Sequence, residues 1–136
     1  MARAIPIDPI LEKGYNVRLL VEDFDGLIEK WSNRSEKFRE TVDSSLDCQY
    51  GNGEKDKLDI FRCGKPNAPL FIFVHGGYWQ RGDKSVYSFV AESFVSSGID
   101  VALIGYQLCP SASMTNIVDK IREAVIWIWN NADDYA

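Results

Sequence analysis

The chain has 136 residues, of which 46% are hydrophobic, 12% aromatic and 26% charged, and its formal net charge is −5. One domain with a sizeable core fits this length, and the composition excludes disorder for most of the chain. The acidic excess argues against a nucleic-acid partner and against an anionic membrane surface, since both need clustered Lys and Arg.

The N-terminus predicts no export signal. Met1–Arg3 is followed at once by Pro6 and carries no apolar segment of the kind a signal peptide needs. The three cysteines, Cys48, Cys63 and Cys109, are an odd number at scattered spacings. That pattern is typical of reduced thiols, so the sequence predicts a cytoplasmic location.

Residues 1–44 are predicted to be a partly helical lead-in or cap segment, and residues 45–136 the core. Asp25 is the expected N-cap of a helix in the first segment. Its apolar positions Ile28, Trp31 and Phe38 fall on one helical face.

The core is predicted to begin with three strands. Leu46–Tyr50 and Leu58–Phe61 alternate polar and apolar residues around the turn Gly51–Gly53, which predicts a strand pair. Leu70–Val74 is apolar at every position. Such a run favours a central strand of a parallel or mixed sheet, covered on both faces.

A helix and a further strand are predicted next. Asp83 is the expected N-cap, the helix ends near Gly98, and Ile99–Ile104 is the strand. The predicted buried side of this helix consists of Val86, Phe89, Val90 and Phe94.

The last predicted element is an amphipathic helix. Its apolar stripe is Ile117, Ile121, Val125 and Ile128, and Trp127 and Trp129 are expected in the core. Strands alternating with helices predict an α/β domain, with a partial, mostly parallel mixed sheet flanked by helices.

A short motif, His75 to Trp79, follows the apolar strand directly. Two glycines, Gly76 and Gly77, let the backbone turn sharply and approach a substrate without a Cβ in the way. Backbone N–H groups of such a loop are able to stabilise a developing oxyanion.

Pro69–Trp79, with the sequence PLFIFVHGGYW, resembles the third strand and oxyanion loop of the α/β-hydrolases related to lipases and esterases. More narrowly, the chain resembles the kynurenine formamidases (arylformamidases) and related esterases. The further similar pieces are Tyr15–Arg18, Val21–Phe24, Leu46–Gly51, Asp83–Lys84 and Tyr106–Pro110.

The resemblance implies hydrolysis of a small aromatic formamide or ester, such as N-formylkynurenine, with no cofactor. It places the oxyanion-hole N–H groups on Gly77 and Tyr78, within the loop motif His75, Gly76, Gly77, Tyr78 and Trp79.

The resemblance also implies a G-x-S-x-G elbow and a distal Asp and His. The sequence contains no G-x-S-x-G, and its single histidine is His75. We therefore expect the N-terminal half of an α/β-hydrolase, ending before the nucleophile elbow and inactive alone. In such a fold the third strand lies between the fourth and fifth, which predicts self-association through Leu70, Phe71, Ile72, Phe73 and Val74.

Several alternatives stay open on the residues alone. One is a general carboxylesterase of the same fold, and another is a non-catalytic remnant or partner subunit. A third is a Cys109–His75 dyad, because both residues follow strands at the same sheet edge. His75 is otherwise expected to hold the loop, and Tyr78 and Trp79 either line an aromatic pocket or pack the loop.

Two other features favour structural roles. Ser85 is interpreted as a first-turn helix residue, because it lacks the strained elbow of a nucleophilic serine. One histidine and no C-x-x-C predict no metal site.

Overall fold

A computed structural model describes the backbone of residues 6–135; residues 1–5 of the predicted lead-in, including its Met1–Arg3 start, and Ala136 lie outside the described residues. The α-helices are α1 (Pro9–Tyr15), α2 (Phe24–Thr41), α3 (Ala91–Ser96), α4 (Met114–Asn130) and α5 (Ala132–Tyr135). The strands are β1 (Ser44–Gln49), β2 (Lys57–Phe61), β3 (Leu70–Val74) and β4 (Asp100–Ile104). Short 3₁₀ helices span Val17–Leu20 and Lys84–Val90.

The four strands form one mixed sheet in the order β1-β2-β4-β3. The pairs β1–β2 and β2–β4 are antiparallel, and only β3–β4 is parallel, with Ile72 opposite Ala102. The mixed sheet is as predicted, but parallel pairing is confined to one strand pair in the described residues. The parallel pair requires the crossover that the helical segment between β3 and β4 provides.

The sheet has a core on each face. Alternation along β4 sends Ala102 and Ile104 toward α4, and Val101 and Leu103 toward α2 and α3. Because β4 lies inside the sheet, all five of its residues are buried. This three-layer arrangement is the α/β architecture that the sequence predicts.

The N-terminal end of α2 differs from the prediction. Asp23, not Asp25, is the N-cap, and its carboxylate accepts a hydrogen bond from the Gly26 N–H at 3.1 Å. Asp25 lies in the first turn and pairs with Arg18 at 3.1 Å. Aspartate is favourable at either position of a helix start, but Asp23 lies three residues before the free Gly26 N–H, and at this spacing an N-cap side chain accepts the hydrogen bond.

The proposed boundary near residue 44 stays a prediction.

The segment after Asp83 is also different from the predicted helix. Asp83 is the N-cap, as predicted, but residues 84–90 form a 3₁₀ helix before α3 begins. Its buried side chains are Lys84, Ser88 and Ala91, whereas the four predicted residues, Val86, Phe89, Val90 and Phe94, are only partly buried. These polar groups are tolerated in the protein interior because they are hydrogen-bonded. The Ser88 hydroxyl, for example, accepts a hydrogen bond from the Arg39 guanidinium at 2.9 Å.

In α4 the buried stripe is Ile117, Ala124 and Ile128. Val125, which the sequence analysis placed on this stripe, is exposed. Trp127 packs partly against the core, but Trp129 is 83% exposed, so its predicted core position is wrong.

No helix among residues 6–135 combines the length and the apolar character needed to cross a bilayer.

Strand β3 lies at the edge of the described sheet. Leu70, Phe71 and Val74 are 41%, 36% and 42% exposed, so the prediction that both strand faces are covered is wrong here. An apolar run indicates that a strand needs cover, but it does not tell which segment provides it. No described strand pairs with the outer side of β3. Self-association through this edge stays a prediction.

Candidate active site

The loop from His75 to Trp79 leaves the carboxyl end of β3 in an unusual backbone conformation. The φ angles of Gly77, Tyr78 and Trp79 are 127°, 52° and 57°, so three consecutive residues have positive φ. For the two non-glycine residues such a conformation costs of order 1–3 kcal/mol each. A Cβ at position 77 would also collide with the Arg81 carbonyl oxygen. Glycine is therefore required there for both space and torsion.

The carbonyl oxygens of the loop are held by the surrounding structure. The Tyr106 hydroxyl donates to the His75 oxygen at 2.8 Å, and the Cys109 N–H donates to the Trp79 oxygen at 2.7 Å. The Gly77 oxygen accepts from the N–H groups of Gln80 and Arg81 at 3.1 and 3.0 Å. The segment after β4 thus fixes the loop at both ends.

The N–H groups of the same loop are arranged differently. Within residues 6–135, the N–H groups of Gly77 and Tyr78 donate no hydrogen bond to another group of the chain, and the same holds for those of Gly76 and Trp79. Residues 76–79 are exposed, so these donors are open to water or to an external acceptor. This is the arrangement that an oxyanion hole needs. The assignment of the oxyanion-hole donors to Gly77 and Tyr78 stays a prediction.

His75 stabilises the loop through its ring. The imidazole is stacked between Tyr106 and Tyr87, at centroid distances of 4.4 and 5.9 Å. Its Nδ1 lies 2.9 Å from the Gly76 carbonyl oxygen, to which a protonated Nδ1 donates. Burial lowers the pKa of His75 below its ordinary value of 6.5, so the ring is neutral at neutral pH.

We expect the buried His75 to make folding stability fall as the pH is lowered below about 6.5. The folded-state pKa lies below the unfolded one, so the unfolded chain binds the proton first and acid favours unfolding. Urea unfolding between pH 7.5 and 5 would measure this slope. His75→Asn keeps a donor near Gly76 and His75→Phe keeps the stacking, and neither titrates; both should lose the slope. An unchanged slope in both variants would contradict the assignment.

The geometry does not support the Cys109–His75 dyad. The Nδ1 of His75 is directed to Gly76, and no hydrogen bond joins the imidazole to the Cys109 thiol in the described part of the chain. Cys109 contacts the loop through its backbone instead. All three cysteines are free.

Ser85 donates a hydrogen bond from its hydroxyl to the Asp83 carboxylate at 2.9 Å, as expected of a residue in a capping turn.

The aromatic residues of the loop have different surroundings. Trp79 lines a cavity of about 270 Å³ between the end of β3 and α4, together with Val74, Tyr106 and Ile117. Tyr78 is 65% exposed and meets the Trp79 ring edge-on at 6.4 Å. Trp79 therefore both lines a cavity and, through its carbonyl, fixes the loop.

Within residues 6–134, no cluster of His, Cys, Asp or Glu is placed to hold a metal ion.

An ion-pair cluster that the sequence analysis missed anchors the segment after the loop. The Lys84 ammonium lies 2.6 Å from Asp59 and 2.7 Å from Asp47, and the side chains of Lys84 and Asp59 are 9% and 2% exposed. Burial alone would lower the pKa of Lys84, but the two carboxylates raise it above its ordinary value. The hydrogen bond from Lys84 lowers the pKa of Asp47. In the sequence, Asp59 is a charged residue within the apolar segment Leu58–Phe61, but nothing local indicates its partner.

The sheet order and the strand-end loop define an α/β-hydrolase fold. The crystal structure of a proposed thioesterase from Silicibacter sp. TM1040 superimposes with a TM-score of 0.81 at 34% identity, covering 85% of this chain and 45% of that one. Esterase B from Lactobacillus rhamnosis shares the fold with a TM-score of 0.66 at 17% identity, covering 93% of this chain and 42% of that one.

Residues 58–136 match the family model of BD-FAE, and the chain belongs to this family of α/β-hydrolases. Kynurenine formamidase from Danio rerio is 34% identical over 94 residues, which are 68% of this chain and 32% of that enzyme. The chain thus matches about a third of the length of this curated relative. The predicted relationship to α/β-hydrolases and kynurenine formamidases is confirmed, and the relatives are hydrolases.

Proposed function

We propose that the whole protein hydrolyses the formyl amide of an aromatic amine, such as N-formylkynurenine, and that Gly77 and Tyr78 form its oxyanion hole. The proposal rests on one observation above all. In the loop after β3, the carbonyl oxygens of His75, Gly77 and Trp79 are hydrogen-bonded within the chain, whereas the N–H groups of Gly77 and Tyr78 have no described partner.

The chemical argument concerns charge that appears during the reaction. When a nucleophile attacks a formamide, the carbonyl oxygen becomes an oxyanion, which two fixed N–H donors stabilise better than they stabilise the neutral substrate. Each such donor typically contributes ~3–4 kcal/mol to the barrier reduction. Because the loop is fixed by Tyr106 and Cys109, the donors need little reorganisation during attack.

His75 has a supporting role in this proposal. Its ring is enclosed by two tyrosines and its Nδ1 is directed to Gly76, so it positions the donor loop and does not act as the general base. The catalytic serine, acid and base are proposed for the part of the whole protein outside residues 1–136. They would then complete a triad of the usual kind.

The choice of an aromatic formamide rests on two observations. The similarity to a kynurenine formamidase extends over 94 residues, which include most of the sheet. Tyr78 and Trp79 also place aromatic surface next to the proposed donors, where an aryl ring is able to stack. No cofactor enters the proposal, because the reaction transfers an acyl group to water.

The test is hydrolysis by the whole protein of N-formylkynurenine and of p-nitrophenyl acetate, with labelling by a fluorophosphonate probe. We expect serine labelling and a higher kcat/KM for the formamide. Hydrolysis of the ester alone would identify a general carboxylesterase instead. A folded protein with neither hydrolysis nor labelling would contradict the proposed function.

A further inference from the structure

A second cavity, of about 400 Å³, lies next to the proposed oxyanion loop. It is formed by the connection of residues 16–25, which leads into α2, and by Arg81, two residues after the loop. Two parts of the chain that are distant in sequence therefore meet at this cavity. Its lining is strongly polar and includes charges of both signs.

Most of the charged groups around this cavity already have partners. Arg18 pairs with Asp25 at 3.1 Å, and its guanidinium lies 4.5 Å from the centroid of the Phe24 ring. Asp23 is occupied as the N-cap of α2, where it accepts from the Gly26 N–H. These groups shape the cavity: the charges of Arg18 and Asp25 compensate each other, whereas Asp23 makes no described ion pair.

Arg81 and Glu22 are different. Both are exposed and both line the cavity. Within the described residues, the side chain of neither makes a hydrogen bond or an ion pair. The cavity thus presents one cation, Arg81, and one anion, Glu22, without a described partner, and the capping carboxylate of Asp23 beside them. A cation and an anion in one cavity are complementary to a zwitterion.

The position of Arg81 relative to the proposed reaction centre is fixed. Its backbone N–H donates to the Gly77 carbonyl oxygen at 3.0 Å, so it lies one turn beyond the proposed oxyanion donors. A long, flexible side chain at this position is able to reach a substrate group several ångströms from the formyl carbon. Arginine is suited to this role because its planar guanidinium binds a carboxylate through two parallel hydrogen bonds.

We propose that Arg81 and Glu22 form a specificity subsite for the α-amino-acid end of the substrate. Arg81 binds the carboxylate and Glu22 binds the ammonium group, while the formamide lies at Gly77 and Tyr78. This inference rests on the proposed function, because it places the formamide of an amino-acid substrate in the oxyanion loop.

Kinetics with the whole protein test the subsite. Arg81→Leu is expected to raise KM for N-formylkynurenine about tenfold, since it removes a charge-assisted hydrogen-bond pair present in both ground and transition states. It should leave the KM for N-formylaniline, which lacks the amino-acid end, unchanged. Glu22→Gln should have a smaller effect in the same direction, and Arg81→Lys should restore part of the loss.

Arg34→Leu is the matched control. It removes the same charge from an exposed arginine that pairs with Glu92 on another surface and lines neither cavity. This variant should behave as wild type toward both substrates. If Arg81→Leu leaves the KM for N-formylkynurenine unchanged, or raises KM for both formamides equally, the subsite is wrong.

A binding measurement separates failure of the subsite from failure of the proposed function. Calorimetric titration with kynurenine and with 2-aminoacetophenone compares the same aryl ketone with and without the amino-acid end, and needs no turnover. We expect tighter binding of kynurenine, lost in Arg81→Leu. Equal affinities would overturn the subsite even in an active formamidase. Selective kynurenine binding without any hydrolysis would support the subsite and contradict only the proposed function.

Discussion

Replacing the amide between Gly77 and Tyr78 by an ester is expected to lower kcat for N-formylkynurenine by ~10²–10³ in the whole protein. The ester removes the Tyr78 N–H and keeps the side chain. It is introduced by incorporating the α-hydroxy analogue of tyrosine at position 78. Because the proposed donor acts on the oxyanion, KM should change much less than kcat.

Backbone geometry decides the choice of this substitution. Proline at position 77 would also remove a donor, but proline requires φ near −65°, whereas Gly77 has φ of 127°. Even alanine would collide with the Arg81 carbonyl oxygen. Either change would distort the loop and confuse a lost donor with a lost conformation.

Tyr78→Phe is the control for the ester. It removes the exposed hydroxyl and keeps every backbone group, so kcat should stay within about twofold of wild type. An ester-containing protein that folds normally and retains full kcat would exclude the Tyr78 N–H as an oxyanion donor.

Lys84→Met is expected to destabilise the protein by about 3–5 kcal/mol, because it leaves the buried Asp59 carboxylate without its cation. Urea unfolding followed by circular dichroism measures this loss. Combining Lys84→Met with Asp59→Leu should recover part of it, since apolar residues replace a buried ion pair at little net cost.

Lys55→Met is the matched control for this prediction. Lys55 pairs with Asp83 at 2.9 Å, but the two side chains are 38% and 44% exposed. Hydrogen bonds from Lys55 and Ser85 outweigh the effect of burial and lower the pKa of Asp83 to about 2. Solvent screening nevertheless limits the expected loss to roughly 1 kcal/mol or less. Equal losses in the two lysine variants would contradict the role given to the buried cluster.

The sequence predicted the order of the strands and the position of the candidate loop because both have strong local signals. β3 was predicted residue for residue from its apolar run, and the glycine pair of the loop has a direct steric reason. The capping residues Asp83 and Ser113 also lie where local preferences favour them, although only Asp83 was predicted.

What the sequence could not predict depends on contacts between distant residues. Lys84 is buried because Asp59 and Asp47 lie opposite it in the fold, and no local pattern signals that meeting. Similarly, the choice between Ala124 and Val125 for the buried face of α4 depends on the packing surface of the sheet. Arg81 and Glu22 are 59 positions apart, so their shared cavity is visible only in three dimensions.

The most direct measurement for the central claim is a crystal structure of the whole protein inhibited by a phosphonate that mimics the tetrahedral intermediate. The account predicts that the phosphoryl oxygen lies about 2.7–3.1 Å from the backbone nitrogens of both Gly77 and Tyr78. A phosphonylated serine whose oxygen is bound by other donors, with the Gly77 and Tyr78 N–H groups turned away from it, would contradict the account.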